Sequence, residues 1–123
     1  MELHASGEDY LEAVLVLEKK LGTGQVRSID LARHLEFSKP SVSHAVTLLR
    51  RGGFLEMDAE GLLSLTALGR EVAEKIYARH RFFARYLMDA GVDPEIADHE
   101  ACRMEHVISE KSFQLLEKKY GKE

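Results

Sequence analysis

Apolar residues recur along most of the chain with the spacing of a helix and change once, near the middle, to that of paired strands. In residues 8–21, EDYLEAVLVLEKKL, the side chains of Tyr10, Leu11, Val14, Leu15 and Leu21 fall on a helical repeat. Glu8, Asp9 and Glu12 sit at the end where the helix dipole favours anions, and a first helix is predicted there. GTGQ interrupts it, after which Ser28 or Asp30 opens a short second helix, SIDLARHLEF, that buries Leu31, Ala32 and Leu35. A turn at Glu36 and Phe37 leads to Ser38 as N-cap and Pro40 in the first turn of a third helix. Val42, Val46 and Leu49 then repeat at i, i+4 and i+7 until Gly52 and Gly53 end it.

FLEMDAEGLLSLT changes the period. Two short apolar-rich runs flank Asp58-Ala59-Glu60-Gly61, which predicts a hairpin with its left-handed position at the glycine. From Ala67 a long helical pattern, with Val72, Ile76, Phe83 and Leu87 along one stripe, runs to about Ala90 and stops at Gly91. Asp93 and Pro94 cap a helix expected to reach about residue 107, and Ser109 opens a last one over Glu110 to Lys119. The expected fold class is mainly α. An N-terminal winged helix-turn-helix with a small two-stranded wing occupies residues 1–66, and a C-terminal helical domain occupies residues 67–123.

At 123 residues and 45% hydrophobic, the chain suffices for one or two small domains, and cores of that size gain from a partner subunit or a bound ion. No apolar run approaches the roughly 18 residues that a membrane span needs. MELHASGEDY lacks the apolar stretch of a secretion signal, so no membrane partner and a cytoplasmic location are expected. The single cysteine cannot form an internal disulfide; it is either a small buried apolar group or a thiol with chemistry.

A net charge of −4 argues against a nucleic-acid partner only until the charge is mapped. Between Gln25 and Arg51 five basic residues (Arg27, Arg33, Lys39, Arg50, Arg51) face two acidic ones (Asp30, Glu36), which leaves that segment at +3. In a winged helix-turn-helix the second helix of the pair enters the major groove. The third helix suits this role because its apolar stripe is narrow and its other side is polar. Ser41, Ser43 and His44 permit close approach to base edges or phosphates, Pro40 is fit for a thymine methyl, and Ser38 and Thr47 complete the surface expected to face DNA. Arg27, Lys39 and Arg50 suit phosphates. Against this stands a plain helical hairpin with a solvated polar face; the helix spacing, glycine stop and hairpin together favour DNA. The wing carries Glu56, Asp58 and Glu60 and is expected to contribute little to DNA binding.

ACRMEHVI, residues 101–108, places Cys102, Glu105 and His106 at i, i+3 and i+4, where three side chains on one helix face could converge on a metal. A buried cysteine beside an ion-pairing surface pair is the plainer reading of that triplet alone. Asp9 and Glu12 offer two oxygens from one face of the first helix, and His80 offers an imidazole. Each also has an ordinary explanation, as a complement to a helix dipole or as a surface histidine.

The chain resembles the short, two-domain members of the metal-dependent repressors that include the diphtheria toxin repressor and the manganese transport regulator. The matching stretches are EDYLE (8–12), SKPSVSHAVTLLRRGG (38–53), Arg79-His80 and EACRMEHVIS (100–109), and the likeness extends over nearly the whole sequence. It implies a homodimer that binds double-stranded operator DNA when loaded with Mn(II) or Fe(II), one or two ions per subunit. It also implies that the C-terminal helices form the dimer, and that Asp9, Glu12, His80, Cys102, Glu105 and His106 are the ligands.

Two positions depart from the family's patterns. Asp9 stands where iron-type members have methionine, and a carboxylate favours a harder ion such as Mn(II); Cys102 stands where manganese-type members commonly have glutamate, and a thiolate pulls towards Fe(II) or Zn(II). Ala84 stands four residues after His80, where the iron-type ancillary site has a carboxylate. Alternatives from other classes are a metal-independent winged-helix regulator and a di-metal enzyme. The enzyme would need an acid or base outside the ligand set; the sequence offers none, and neither a catalytic residue nor an organic substrate is expected.

Overall fold

The computed structural model describes residues 5–121, so residues 1–4 of the first predicted domain and 122–123 of the second lie outside it. Six helices and two strands follow in the order α1 Ala5–Leu21, α2 Ser28–Leu35, α3 Lys39–Arg51, β1 Leu55–Met57, β2 Leu63–Leu65, α4 Ala67–Asp89, α5 Pro94–Met104 and α6 Glu110–Tyr120. The chain falls into two compact units, one ending at Glu74 and the other beginning at Lys75, so the first turns of α4 belong to the first unit.

The first unit is a winged helix. Its core gathers Leu11, Val14 and Leu15 of α1, Leu31 of α2, Val42, Val46 and Leu49 of α3 and the strand residues Leu55, Leu63 and Leu65, all buried. The strands pair antiparallel in the register Leu55↔Leu65, Glu56↔Ser64 and Met57↔Leu63. Val26 adds a single bridge to Leu63, accepting its N–H at 2.7 Å. The loop between the strands is held by Asp58, whose Oδ1 accepts the N–H of Glu60 and of Leu62 at 2.9 Å each, while Gly61 takes the expected left-handed φ of 83°.

Local chemistry sets the ends of α2 and α3. Asp30 accepts the Arg27 N–H at 2.8 Å and closes the start of α2, one residue earlier than Ser28 as a cap would place it. Glu36 ends α2 in the left-handed conformation, at φ 58°, and Ser38 Oγ caps α3 by accepting the Ser41 N–H at 3.3 Å. The Tyr10 ring lies 5.8 Å from that of Phe37, and burial raises the pKa of the Tyr10 hydroxyl above its ordinary value. At the start of α4, Thr66 Oγ1 donates to the Gly53 carbonyl at 2.6 Å and accepts the Gly69 N–H at 3.0 Å. Glu18, 6% exposed, receives Arg70 Nη2 at 3.0 Å, so its buried carboxylate is paired.

The second unit packs Phe83 of α4, Ala101 of α5 and Phe113 of α6 into a small core, with Phe82, Ala84, Ile108 and Leu116 around it. Phe82 meets Phe83 and Phe113 edge-on, each at 5.4 Å between ring centroids. Helix α4 ends as expected at Gly91, φ 101°, with the Val92 N–H reaching back to the Leu87 carbonyl. Helix α5 does not reach residue 107: it ends at Met104, and Glu105 is its C-cap. Arg79 Nη1 donates to the carbonyls of Glu105 and Ile108 at 3.1 and 3.0 Å, and Ser109 caps α6, so the helical bonding stops there. No helix among the described residues is long and apolar enough to cross a membrane.

Candidate metal centre and DNA-reading helix

The second unit gathers four of the six candidate ligands. Glu105 is wholly buried, at 0% exposure, while Cys102, His106 and His80 are partly buried. One donor atom each from Cys102, Glu105 and His106 lie within 4.8 Å of one another. Glu105 and His106 have left the helix, but the Glu105 backbone remains helical (φ −62°, ψ −21°), and this keeps its side chain on the face that Cys102 occupies. From α4, His80 Nδ1 stands 3.0 Å from Glu105 Oε2. In the first unit, Asp9 and Glu12 lie on α1, three residues apart and both partly buried.

Glu105 carries the site's chemistry. Its Oε1 is the buried side-chain atom, among the described residues, that has no hydrogen-bond partner; His106 Nε2 lies 3.4 Å away without hydrogen-bonding geometry. Leaving such an acceptor unsatisfied costs about 1–3 kcal/mol, and more for a charged group. A divalent cation fits this arrangement: it neutralises the buried carboxylate and takes imidazole nitrogen and thiolate sulfur as its other donors.

Two contributors escaped the sequence reading. Asp98 Oδ1 lies 2.7 Å from His80 Nε2, the ring nitrogen that faces away from Glu105. Arg79, noted in the sequence only as the neighbour of His80, fixes the backbone on which Glu105 and His106 stand and lies over the Phe113 ring at 5.6 Å. Asp98 falls four residues before Cys102, one helical turn away, and that spacing was the available signal. Nothing in the sequence marks the Arg79 contacts, which join residues 26 and 29 positions apart.

In the first unit, α3 has the two faces expected of it. Val42, Val46 and Leu49 are buried, and Lys39, Pro40, Ser41, Ser43, His44, Thr47 and Arg50 are exposed, as is Ser38 before them. Several hydroxyls are already engaged: Ser38 donates to Ser41 Oγ at 2.9 Å, and Thr47 donates to the Ser43 carbonyl at 3.0 Å. Arg27, exposed, donates from Nη1 to the Glu60 carbonyl at 2.7 Å and ties the loop of the wing to the start of α2.

The first unit thus has the form of a DNA-binding winged helix, and the second gathers imidazole, carboxylate and thiol donors that fit a divalent cation. The model of the iron dependent repressor N-terminal DNA binding domain matches residues 2–61, and that of the iron dependent repressor metal binding and dimerisation domain matches residues 66–122. The chain belongs to the iron-dependent repressor family.

It is 34% identical over 117 residues to the transcriptional regulator MntR of Escherichia coli O6:H1, covering 93% of this chain and 74% of that one. With the iron-dependent repressor IdeR of Mycobacterium tuberculosis it shares 37% identity over 110 residues, covering 89% of this chain and 47% of IdeR. The manganese regulator SloR has the same fold, with a TM-score of 0.81 at 24% identity over 98% of this chain and 55% of SloR. The chain therefore spans about half the length of IdeR and SloR. The family consists of DNA-binding repressors and not enzymes, which disposes of the di-metal enzyme.

Proposed function

We propose that this protein is a homodimeric repressor that binds operator DNA when loaded with Mn(II) or Fe(II), and so couples gene expression to metal supply. The observation that carries the reading is the wholly buried Glu105, one oxygen without a hydrogen bond, beside two imidazoles and a thiol. His80, Cys102, Glu105 and His106 hold the cation from the second unit, and Asp9 and Glu12 supply carboxylates from α1 of the first. The cation contributes positive charge to a set of donors that repel one another without it.

Loading with the cation favours conformations in which the two α3 helices of a dimer reach successive major grooves, about 34 Å apart. By linkage, cognate DNA tightens metal binding by the same factor. Helix α3 does the reading: Ser41, Ser43 and His44 face base edges, Pro40 offers an apolar contact, and Ser38, Lys39, Thr47, Arg50 and Arg27 meet the backbone. For the ion itself, the Asp9 carboxylate favours Mn(II) and the Cys102 thiolate favours Fe(II), with Mn(II) the first choice for a set rich in carboxylates.

The test is selection of duplexes from a random library, followed by binding anisotropy with Mn(II), with Fe(II) under anaerobic conditions, with Zn(II) and with chelator. Enriched duplexes should bind with Mn(II) or Fe(II) and be released by chelator. Equal binding with and without chelator would select the metal-independent regulator instead.

A further inference from the structure

We infer that Asp98 is a positioning residue for the metal centre: it holds His80 as the Nε2–H tautomer, which leaves the Nδ1 lone pair to the cation. This rests on the proposed function and names a residue that neither the sequence reading nor the family comparison assigns.

The geometry sets the problem. The His80 ring lies between two carboxylates, with Glu105 Oε2 3.0 Å from Nδ1 and Asp98 Oδ1 2.7 Å from Nε2. A neutral imidazole has one N–H to give, and the other nitrogen offers a lone pair. The two sides of the ring differ sharply. Glu105 is 0% exposed and stands with the Cys102 and His106 donors, whereas the Asp98 side chain is 74% exposed.

The buried side is the one that needs a cation, because a lone pair facing a buried carboxylate is repulsive until positive charge comes between them. Asp98 is absent from the groups of donor atoms that converge within 4.8 Å among the described residues. It is placed to accept a proton from the ring and not to share the ion. A carboxylate accepting the outer N–H of a ligating histidine fixes the ring's orientation and raises the basicity of the nitrogen that binds metal, and losing such a partner typically weakens metal affinity about 10–100-fold. The solvent around Asp98 puts the expected effect at the lower end, roughly tenfold.

The experiment compares wild type, Asp98→Ala and Asp98→Asn in the full chain. Mn(II) affinity is read from the free-ion electron paramagnetic resonance signal, and the His80 tautomer from long-range nitrogen–proton correlation spectra of protein loaded with diamagnetic Zn(II). The expected results are an Nε2–H signature for wild-type His80, a Mn(II) affinity about tenfold weaker in Asp98→Ala, and near-wild-type affinity in Asp98→Asn, whose amide oxygen still accepts the N–H.

Three results would overturn the inference: an Nδ1–H tautomer, an Asp98→Ala variant that binds as tightly as wild type, or an Asp98→Asn variant as impaired as Asp98→Ala. The last would mean that the negative charge of Asp98, and not its acceptance of the ring N–H, sets the affinity. Wild-type protein that takes up neither ion would instead overturn the proposed function, and this assignment with it.

Discussion

Arg79 Nη1 donates to the Glu105 carbonyl at 3.1 Å, and the same nitrogen reaches the Ile108 carbonyl at 3.0 Å. The end of α5 is thus shaped by a side chain of α4. The turn that presents Glu105 and His106 depends on a guanidinium that also lies over Phe113.

Replacing Arg79 with methionine keeps the aliphatic reach and removes both hydrogen bonds. Two backbone carbonyls then lose their donor, and chemical denaturation should show a loss of about 1–3 kcal/mol. Mn(II) affinity should fall as well, since the backbone that sets the Glu105 side chain is released. An unchanged denaturation midpoint would mean that Ser109 and the helix ends alone define the turn.

Glu105→Gln removes a buried charge and keeps the shape. Without metal, the variant should be as stable as wild type or more so, because an amide has a smaller desolvation cost than a carboxylate. Metal should no longer protect it. For wild type at a free Mn(II) concentration 100 times the dissociation constant, the stabilisation is about 2.7 kcal/mol and disappears with chelator; in the variant, melting curves with and without Mn(II) should nearly coincide.

Lys39→Ala should act on DNA alone. As a proposed phosphate contact, its loss should weaken binding to all duplexes alike and reduce the slope of log K against log salt by about 1, while Mn(II) titration is unaltered. A parallel loss in metal affinity would place Lys39 outside the role given to it.

Gly69→Ala probes the joint between wing and α4. A Cβ at Gly69 would come 2.0 Å from the Phe54 carbonyl oxygen, a backbone atom that cannot swing aside. Alanine is otherwise a better helix former than glycine by roughly 0.8–1.0 kcal/mol, yet here the clash should dominate and destabilise by about 1–3 kcal/mol. Thermal unfolding settles the sign, and a stabilised variant would show that α4 moves freely against the strand.

The parts of the fold legible in the sequence are those written in local chemistry. Ser38 and Gly53 bound α3 because a hydroxyl can cap the first N–H groups and a glycine can take the left-handed φ of 83° just past the helix end. Asp58 and Gly61 mark the hairpin for comparable reasons of turn geometry. The end of α5 was not legible, because its cause lies 26 residues upstream at Arg79. The Asp98–His80 pairing, across 18 positions, was marked only by the one-turn spacing of Asp98 from Cys102. Glu36 in the left-handed region was equally unmarked; only its neighbourhood, a turn between two helices, suggested where the chain must bend.

The hydroxyls of α3 have a practical corollary. Ser38 and Ser41 are joined to each other and the Thr47 hydroxyl is anchored to the Ser43 carbonyl, whereas the side chains of Ser43 and His44 stand exposed on the same surface. An engineer wishing to retarget this repressor to another promoter thus has a compact vocabulary to rewrite. Randomising those two adjacent positions should change which duplex is chosen while the rest of the helix continues to act as a rigid handle.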